Sequence, residues 1–190
     1  MKKETICVYC SSSNYLPEKF YQFSQEFGKK LGQNNFDMVY GGTNVGMMGV
    51  IANNALQNGA KVIGVIPERI ASFGLSHPEL AQVVLTKDMR ERKATMEKYA
   101  DIFVALPGGF GTFEEIFEIL VAKQLGYHDK PVIFFNFDGF YDNMFKMFDT
   151  LYSNNFAKEE MKSLYYIANT IDDMYEYLKD YKPQEFIVKW

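Results

Sequence analysis

Residues Pro107 to Glu115 read Pro-Gly-Gly-Phe-Gly-Thr-Phe-Glu-Glu, three glycines followed closely by a pair of carboxylates. Glycines let the backbone approach a ligand, and the amides that open a helix have no intrahelical partner, so this spacing suits an anion such as a phosphate. A carboxylate just inside the same helix could stabilise developing positive charge or activate water. Glu115 also has a plainer use. Thr112 followed three residues later by Glu115 is the pattern of a capping box, in which the glutamate only ties off its own helix.

The elements around the motif constrain both uses. Asp101 to Leu106 is a short apolar run closed by Pro107 and Gly108, which predicts a buried parallel strand. Thr112 to Leu125 then predicts a helix. At 100° per residue, Phe113, Ile116, Phe117, Leu120 and Val121 form an apolar stripe, Glu115 lies roughly opposite with Ile119 and Ala122, and Glu114 and Glu118 share a narrow polar edge. A helix apolar on two faces is expected to be buried on both, against the sheet and against a second surface such as another subunit.

Two further segments carry polar groups toward the same kind of position. Gly41-Gly-Thr-Asn-Val-Gly-Met-Met-Gly49 is a second glycine loop between strand and helix. It lacks the Gly-x-Gly-x-x-Gly spacing of dinucleotide sites and the lysine of a Walker loop. The run Ser11-Ser-Ser-Asn14 after the first predicted strand offers hydroxyl and amide groups, either as an ordinary turn or as contacts to phosphate or sugar. In Asp88-Met-Arg-Glu-Arg-Lys-Ala-Thr-Met96 a helix places Met89, Arg92, Lys93 and Met96 on one side. Cations in an apolar stripe point either into a cleft, where a guanidinium could grip phosphate or a sugar hydroxyl, or to a solvated basic face paired with Glu91 and Glu97.

Along the chain, strands are predicted near Thr5 to Cys10, Asp37 to Tyr40, Lys61 to Ile66, Gln82 to Thr86, Ile102 to Leu106 and Val132 to Phe135. Helices are predicted near Pro17 to Gln33, Gly46 to Asn58, Lys87 to Tyr99, Thr112 to Leu125, Phe140 to Asn154 and Ile171 to Lys179. This alternation gives an α/β fold, a doubly wound, Rossmann-like and mainly parallel sheet with helices on both faces, whose ligands bind beyond the carboxyl ends of the strands. The 190 residues suit a single domain, and 47% hydrophobic residues suffice for its core. The end from Lys182 to Trp190 is a tail whose Phe186, Ile187, Val188 and Trp190 are too apolar to stand free, packing on a neighbouring subunit or on its own domain.

A net charge of −4 gives no global attraction for nucleic acid or an anionic membrane, so a phosphate site must be local and its ligand small. With no signal-like or membrane-length apolar run, a cytoplasmic location is expected. Cys7 and Cys10 form a Cys-x-x-Cys on a predicted strand, where redox pairs of that spacing are not found, and are expected to be reduced and packed. His77 and His128 are far apart and show no ligand spacing, so no metal site is predicted.

These residues resemble the LOG family of phosphoribohydrolases, whose members are often mislabelled lysine decarboxylases. The resemblance runs from Thr5 to about Tyr181. Pro107 to Glu115 matches the family's Pro-Gly-Gly-x-Gly-Thr-x-x-Glu in full, Arg92-Lys93 falls on its Met-His-x-Arg-Lys segment, Gly41 to Gly49 on its glycine loop, and Gln124 to Pro131 on the stretch after its catalytic helix. The resemblance implies hydrolysis of the N-glycosidic bond of a purine nucleoside 5′-monophosphate, AMP or an N6-modified cytokinin nucleotide, to free base and ribose 5-phosphate.

On this resemblance Glu115 and Arg92 are the catalytic pair, Arg92 orienting Glu115 or the ribose hydroxyls. Pro107, Gly108, Gly109, Gly111 and Thr112 form the phosphate loop, and Ser12, Gly41, Gly42, Gly46, Met89 and Lys93 complete substrate binding. No metal or organic cofactor is implied. The implied assembly is a homodimer with the site near its interface. Three departures limit what carries over: Arg90 where the family usually has histidine, at a base or ribose contact; Ala122 for a common tryptophan with Lys123 for a small residue, at the base pocket; and Cys10-Ser-Ser-Ser13 in the first turn where Cys-Gly-Ser-Ser is frequent. A non-catalytic nucleotide-binding module is the alternative, whereas pyridoxal chemistry at Lys93 lacks the context it needs.

Overall fold

The computed structural model describes residues 3–80 and 82–183. It contains two compact units, Met1–Ile102 and Phe103–Trp190. The first carries β1 (Thr5–Tyr9), α1 (Glu18–Gln33), β2 (Asp37–Tyr40), α2 (Gly46–Gln57), β3 (Val62–Pro67), a single-turn α3 (Glu68–Ala71), β4 (Gln82–Thr86) and α4 (Met89–Tyr99). Its strands are parallel in the order β4-β3-β2-β1. The register places Thr5 opposite Asp37, Met38 opposite Val62 and Ile63 opposite Gln82. Each parallel step needs a crossover, and α1 and α2 supply the first two.

β1 and β3 are buried along their whole length, the mark of a parallel sheet covered on both faces. β4 alternates instead, with Val83 and Leu85 exposed. α1 lies close against α2 because glycine stands at the contact. A Cβ on Gly28 would come within 2.5 Å of the Ile51 carbonyl oxygen, and one on Gly32 within 2.6 Å of that of Asn58.

The second unit takes up β5 (Ile102–Ala105), which starts at the boundary, and continues with α5 (Phe110–Gln124), β6 (Val132–Phe135), α6 (Asp142–Ser153), β7 (Tyr166–Ala168) and α7 (Ile171–Asp180). Its strands are again parallel, in the order β5-β6-β7. Phe134 on β6 is the centre of an aromatic core, with Tyr141, Phe145, Phe148 and Tyr165 packed edge-on at centroid distances of 5.6 to 6.2 Å.

The doubly wound α/β class predicted from the alternation is therefore present, with seven parallel strands among the described residues. Two elements were not predicted, β7 and α3, of three and four residues. Cys7 and Cys10 are reduced and buried, as expected from their place on and beside β1. No helix among the described residues is long and apolar enough to cross a membrane. The apolar residues of the tail, Phe186 to Trp190, lie outside the described residues.

Candidate functional site

The second unit carries the glycine turn that opens α5. α5 starts at Phe110 with Gly109 as its N-cap, two residues earlier than predicted, and Thr112 lies inside the first turn. The capping box expected of Thr112 and Glu115 is therefore absent. Thr112 is buried and stands over Gly108, where a Cβ would fall 2.1 Å from its Oγ1. Gly109 has no side chain to cap the helix, and the first amides of α5 have no intrahelical partner. A Cβ added to Gly109 or Gly111 would meet nothing within 4 Å. The turn is thus an open concavity of backbone N–H groups at the positive end of a helix dipole, suited to an anion.

Glu115 follows one turn further along and is buried, 7% exposed. The buried face of α5 holds Thr112, Glu115, Ile116, Ile119 and Lys123. This corrects the predicted stripe, which ran through Phe113, Ile116, Phe117, Leu120 and Val121. Val121 is 45% exposed, while Phe113 and Phe117 are half-buried against Tyr141 and Phe148. Glu114 and Glu118 are exposed, as the projection required. The Tyr141 hydroxyl donates 2.7 Å to the Leu106 carbonyl, so the strand end that leads into the turn is pinned from below.

Lys123 was not expected to be buried. Its Nζ donates 3.1 Å to the Tyr181 hydroxyl and lies 5.2 Å from that ring, and Tyr181 in turn donates to the Asp129 carbonyl. Burial pulls the ammonium down to about 8, against the opposing pull of Asp129. His128, in the stretch after α5, is a staple. Its Nδ1 accepts from the Lys130 amide and its Nε2–H donates 2.9 Å to the Ile119 carbonyl.

The first unit holds a cavity of about 530 Å³ whose polar lining is Ser12, Asn14, Thr43, Gly41 and Arg92. α4 presents Arg92 from its buried side. Asp88 caps that helix, accepting from the Arg90 and Glu91 amides at 3.0 and 2.9 Å, and Glu91 reaches back 2.8 Å to the Lys87 amide. A two-sided cap of the kind looked for at Thr112 and Glu115 is thus found at Asp88 and Glu91, with the Lys87 amide in place of the N-cap residue's own.

Arg92 is 9% exposed and its Nε donates 3.2 Å to the Val65 carbonyl. The solvated basic face is ruled out for it. Its guanidinium fills the space beside Gly41, where a Cβ would sit 2.0 Å from Nη2. Lys93 is half-buried, Met96 buried, and Met89 43% exposed. Arg90, the departure from the family's histidine, is exposed.

The other expected glycines of this unit are taken up by packing. Gly42 (φ +76°) lies against β3, with a Cβ position 3.2 Å from Ile66. Gly46 (φ +57°) leaves room for the Ser12-Ser13 backbone, 2.5 Å from its Cβ position. Its amide donates 2.8 Å to Asn14 Oδ1, and the next amide, of Met47, donates 3.1 Å to the Ser11 carbonyl. The start of α2 is therefore satisfied by the serine run rather than open to an anion. Asn14 closes the run that the sequence offered either as a turn or as ligand contacts. It is both a helix cap and part of the cavity wall.

The remaining wall was not anticipated at all: Val45, Met48, Ile70, Phe73 and Leu75. The segment from Ser72 to His77 reaches it by pairing antiparallel with the glycine loop. Asn44 N donates 2.9 Å to the Leu75 carbonyl, and His77 N donates 3.0 Å to that of Gly42. The buried His77 ring locks this pairing, accepting at Nδ1 from the Glu79 amide and donating from Nε2 3.0 Å to Asn53 Oδ1. Burial holds its pKa below the usual imidazole value. Among the described residues no group of three or more histidine, cysteine or acidic side chains could hold a metal ion.

Comparison with known proteins agrees with this layout. The chain is 37% identical over 179 residues, 94% of its length and 74% of the relative's, to cytokinin riboside 5′-monophosphate phosphoribohydrolase LOG of Oryza sativa subsp. japonica. It is 35% identical over 186 residues to the LOG2 enzyme of that name from Arabidopsis thaliana, covering 97% of this chain and 87% of the relative. Among solved structures, a molybdenum cofactor binding protein from Rippkaea orientalis superposes with a TM-score of 0.71 at 20% identity, over 94% of this chain and 97% of that one. At that identity it shows the shared Rossmann-like fold alone. The family model described as "Possible lysine decarboxylase" matches residues 48–178, taking in Arg92, the Pro107 to Thr112 turn and Glu115. With that match and these relatives, the chain belongs to the LOG family.

Proposed function

We infer that the protein hydrolyses the N-glycosidic bond of a purine nucleoside 5′-monophosphate, releasing free base and ribose 5-phosphate. The observation that carries this reading is the pairing, on one helix, of an open glycine turn with a buried carboxylate. Gly109 and Gly111 face empty space at the start of α5, and Glu115 is buried one turn on. From Gly111 to Glu115 the helix rises about 6 Å, comparable to the reach of a ribose 5-phosphate from phosphate to anomeric carbon. A phosphate held at the turn thus brings the glycosidic carbon toward the carboxylate.

The chemistry follows from that placement. Breaking the bond leaves positive charge shared between the anomeric carbon and the ring oxygen, and an anionic Glu115 stabilises it more than it stabilises the neutral ground state. The same carboxylate orients a water and accepts its proton as the new C–O bond forms, while the base leaves with the bonding electrons. The backbone amides at Gly109, Gly111 and Thr112 bind the 5′-phosphate, with Pro107 and Gly108 shaping the turn. Arg92 serves as the substrate-orienting cation with Lys93. Ser12, Gly41, Gly42, Gly46 and Met89 are assigned to substrate binding, Gly42 and Gly46 through the packing they permit.

The names of the relatives support this substrate class. The remaining parts of the reading are a single-domain protein with a C-terminal tail, a cytoplasmic location and a homodimer with the site near its interface. Exposed Val83 and Leu85 on β4 and exposed Phe110 and Val121 on α5 support a partner surface. The test is chromatography of wild-type protein incubated with AMP and with N6-prenylated AMP. Free base and ribose 5-phosphate in equal amounts are expected. Nucleotide binding without either product would leave a non-catalytic binding module.

A further inference from the structure

The open turn of the second unit lies between a strand end and a helix start, and one buried side chain touches both. Tyr141 is 1% exposed. Its hydroxyl donates 2.7 Å to the carbonyl of Leu106, the residue before the turn. Its ring meets that of Phe113, in the first turn of α5, edge-on at a centroid distance of 5.7 Å. Tyr141 is itself held from behind. Its amide donates 2.7 Å to Asn136 Oδ1, and the Asn136 side-chain amide donates 2.7 Å to Asp142 at the start of α6.

The place of the hydroxyl bond decides what it controls. Leu106 precedes a proline, which restricts it to extended backbone, and the Pro107 ring fixes the next φ. The direction of the Leu106 carbonyl therefore sets the peptide plane from which the turn departs, and the next two residues are glycines. On the ligand side the turn has no support of its own, since a Cβ on Gly109 or Gly111 would meet nothing within 4 Å. Glycine has the most conformational freedom to lose, so a turn of this composition left unfastened would have to be ordered by its ligand, at a cost in affinity.

We propose that Tyr141 is a positioning residue of the phosphate turn, fastening the strand end before it through the hydroxyl and the helix start after it through the ring, so that the turn amides meet a 5′-phosphate already in place. The proposal rests on the nucleotide reading above and adds a residue to it. Buried as it is, Tyr141 acts through the turn and not on the ligand. Its loss is felt as weaker binding of a phosphate-bearing ligand, beyond any loss of stability.

The test is calorimetric titration of ribose 5-phosphate, which the proposed reaction releases and does not consume, into wild type, Tyr141→Phe and Tyr165→Phe, each held well below its own unfolding midpoint. Tyr165 packs edge-on to the same Phe134 at 5.6 Å, and its hydroxyl pairs with that of Tyr152 on α6 at 3.3 Å. Tyr165→Phe thus removes the same group from the same aromatic core, at a residue bonded to α6 and not to the turn. Tyr141→Phe is expected to weaken ribose 5-phosphate about five- to tenfold, the size of one buried hydrogen bond. The KM for the hydrolysed nucleotide rises by a similar factor, with kcat changed less than about threefold. Tyr165→Phe lowers the unfolding midpoint and leaves the affinity within about twofold of wild type. Phe113→Leu, which keeps the hydroxyl bond and loses the ring contact, weakens binding about two- to fourfold and decides the matter if Tyr141→Phe does not fold.

Wild-type affinity in Tyr141→Phe, or in Phe113→Leu where that variant decides, overturns the proposal. An equal loss in Tyr165→Phe, or no binding of ribose 5-phosphate by wild type, overturns it too. The hydrolase reading is judged separately, by base release from AMP or its N6-prenylated form. Affinity that depends on Tyr141 without base release keeps the positioning role and removes the hydrolase. Base release with affinity indifferent to Tyr141 does the reverse.

Discussion

The two glycine turns look alike in sequence and are opposites in structure. In Gly41 to Gly49 the missing side chains are replaced by protein: the Arg92 guanidinium beside Gly41, β3 behind Gly42, the serine run against Gly46. In Pro107 to Thr112, Thr112 covers Gly108, but Gly109 and Gly111 face nothing. One turn uses glycine to let the fold close on itself, the other to keep a helix start open. Glycine between strand and helix therefore says only that something comes close. Whether that is a ligand depends on what stands opposite. The buried cations differ in a parallel way. Arg92 donates from Nε to the Val65 carbonyl, whereas Lys123 is buried beside a tyrosine and holds its proton weakly.

The contrast can be broken by substitution, and the largest effect on stability is expected at Gly46. Alanine there meets the Ser12 backbone and a left-handed φ of +57°, so Gly46→Ala should cost about 2–4 kcal/mol in denaturant unfolding. Unaltered stability would mean that the serine run is not packed against α2. Gly41→Ala presses on the ends of the flexible Arg92 and Met48 side chains, at 2.0 and 2.5 Å. A smaller loss of about 1–3 kcal/mol is expected, together with reduced base release as the guanidinium is displaced. Full activity would separate Arg92 from the reaction.

Lys123 gives the pH dependence. Its pKa of about 8 lies below the 10.5 of the free side chain, so between these values the folded state binds fewer protons than the unfolded state. Stability from this group therefore rises as pH rises through that window. Measured against Lys123→Met, wild type should gain about 1–2 kcal/mol between pH 7 and 9.5. A flat difference would show that the ammonium is solvated.

The smallest effect on stability is the sharpest for the comparison. Gly111 is exposed in the first turn of α5, and alanine is the better helix former, so Gly111→Ala should leave stability unchanged or raise it by up to about 1 kcal/mol. Nucleotide affinity should nonetheless fall, because the added methyl enters the space assigned to the phosphate. A variant that melts higher and binds as well as wild type would contradict an anion site there.

The sequence made the framework legible because βα alternation is a local signal repeated along the chain. The three residues of β7 and four of α3 are too short to carry a period. The Pro107 to Glu115 motif pointed to the right helix but misled on its cap. Thr112 has the right type and spacing from Glu115, yet the chain turns into α5 two residues earlier, at a glycine. Asp88 and Glu91 carry the same spacing and do form a cap, at the start of the helix whose cations dominate its pattern.

The apolar wall was beyond local reading. Phe73 and Leu75 reach the cavity only through main-chain pairing with residues some thirty positions earlier, as in Asn44 to Leu75, and no pattern within the segment announces it. Exposed Phe110 and Val121 on α5 and Val83 and Leu85 on β4 are plain in the sequence as apolar residues, but a single residue type does not announce that it faces outward.

The most direct measurement of the account is base and ribose 5-phosphate release by wild type and by Glu115→Gln at equal nucleotide occupancy, with affinity measured on the same preparations. The account predicts that the amide variant loses at least about 10³-fold in turnover while its affinity changes only a few-fold. Turnover preserved in Glu115→Gln would contradict it, leaving Glu115 a buried carboxylate of the helix and the chemistry without its agent.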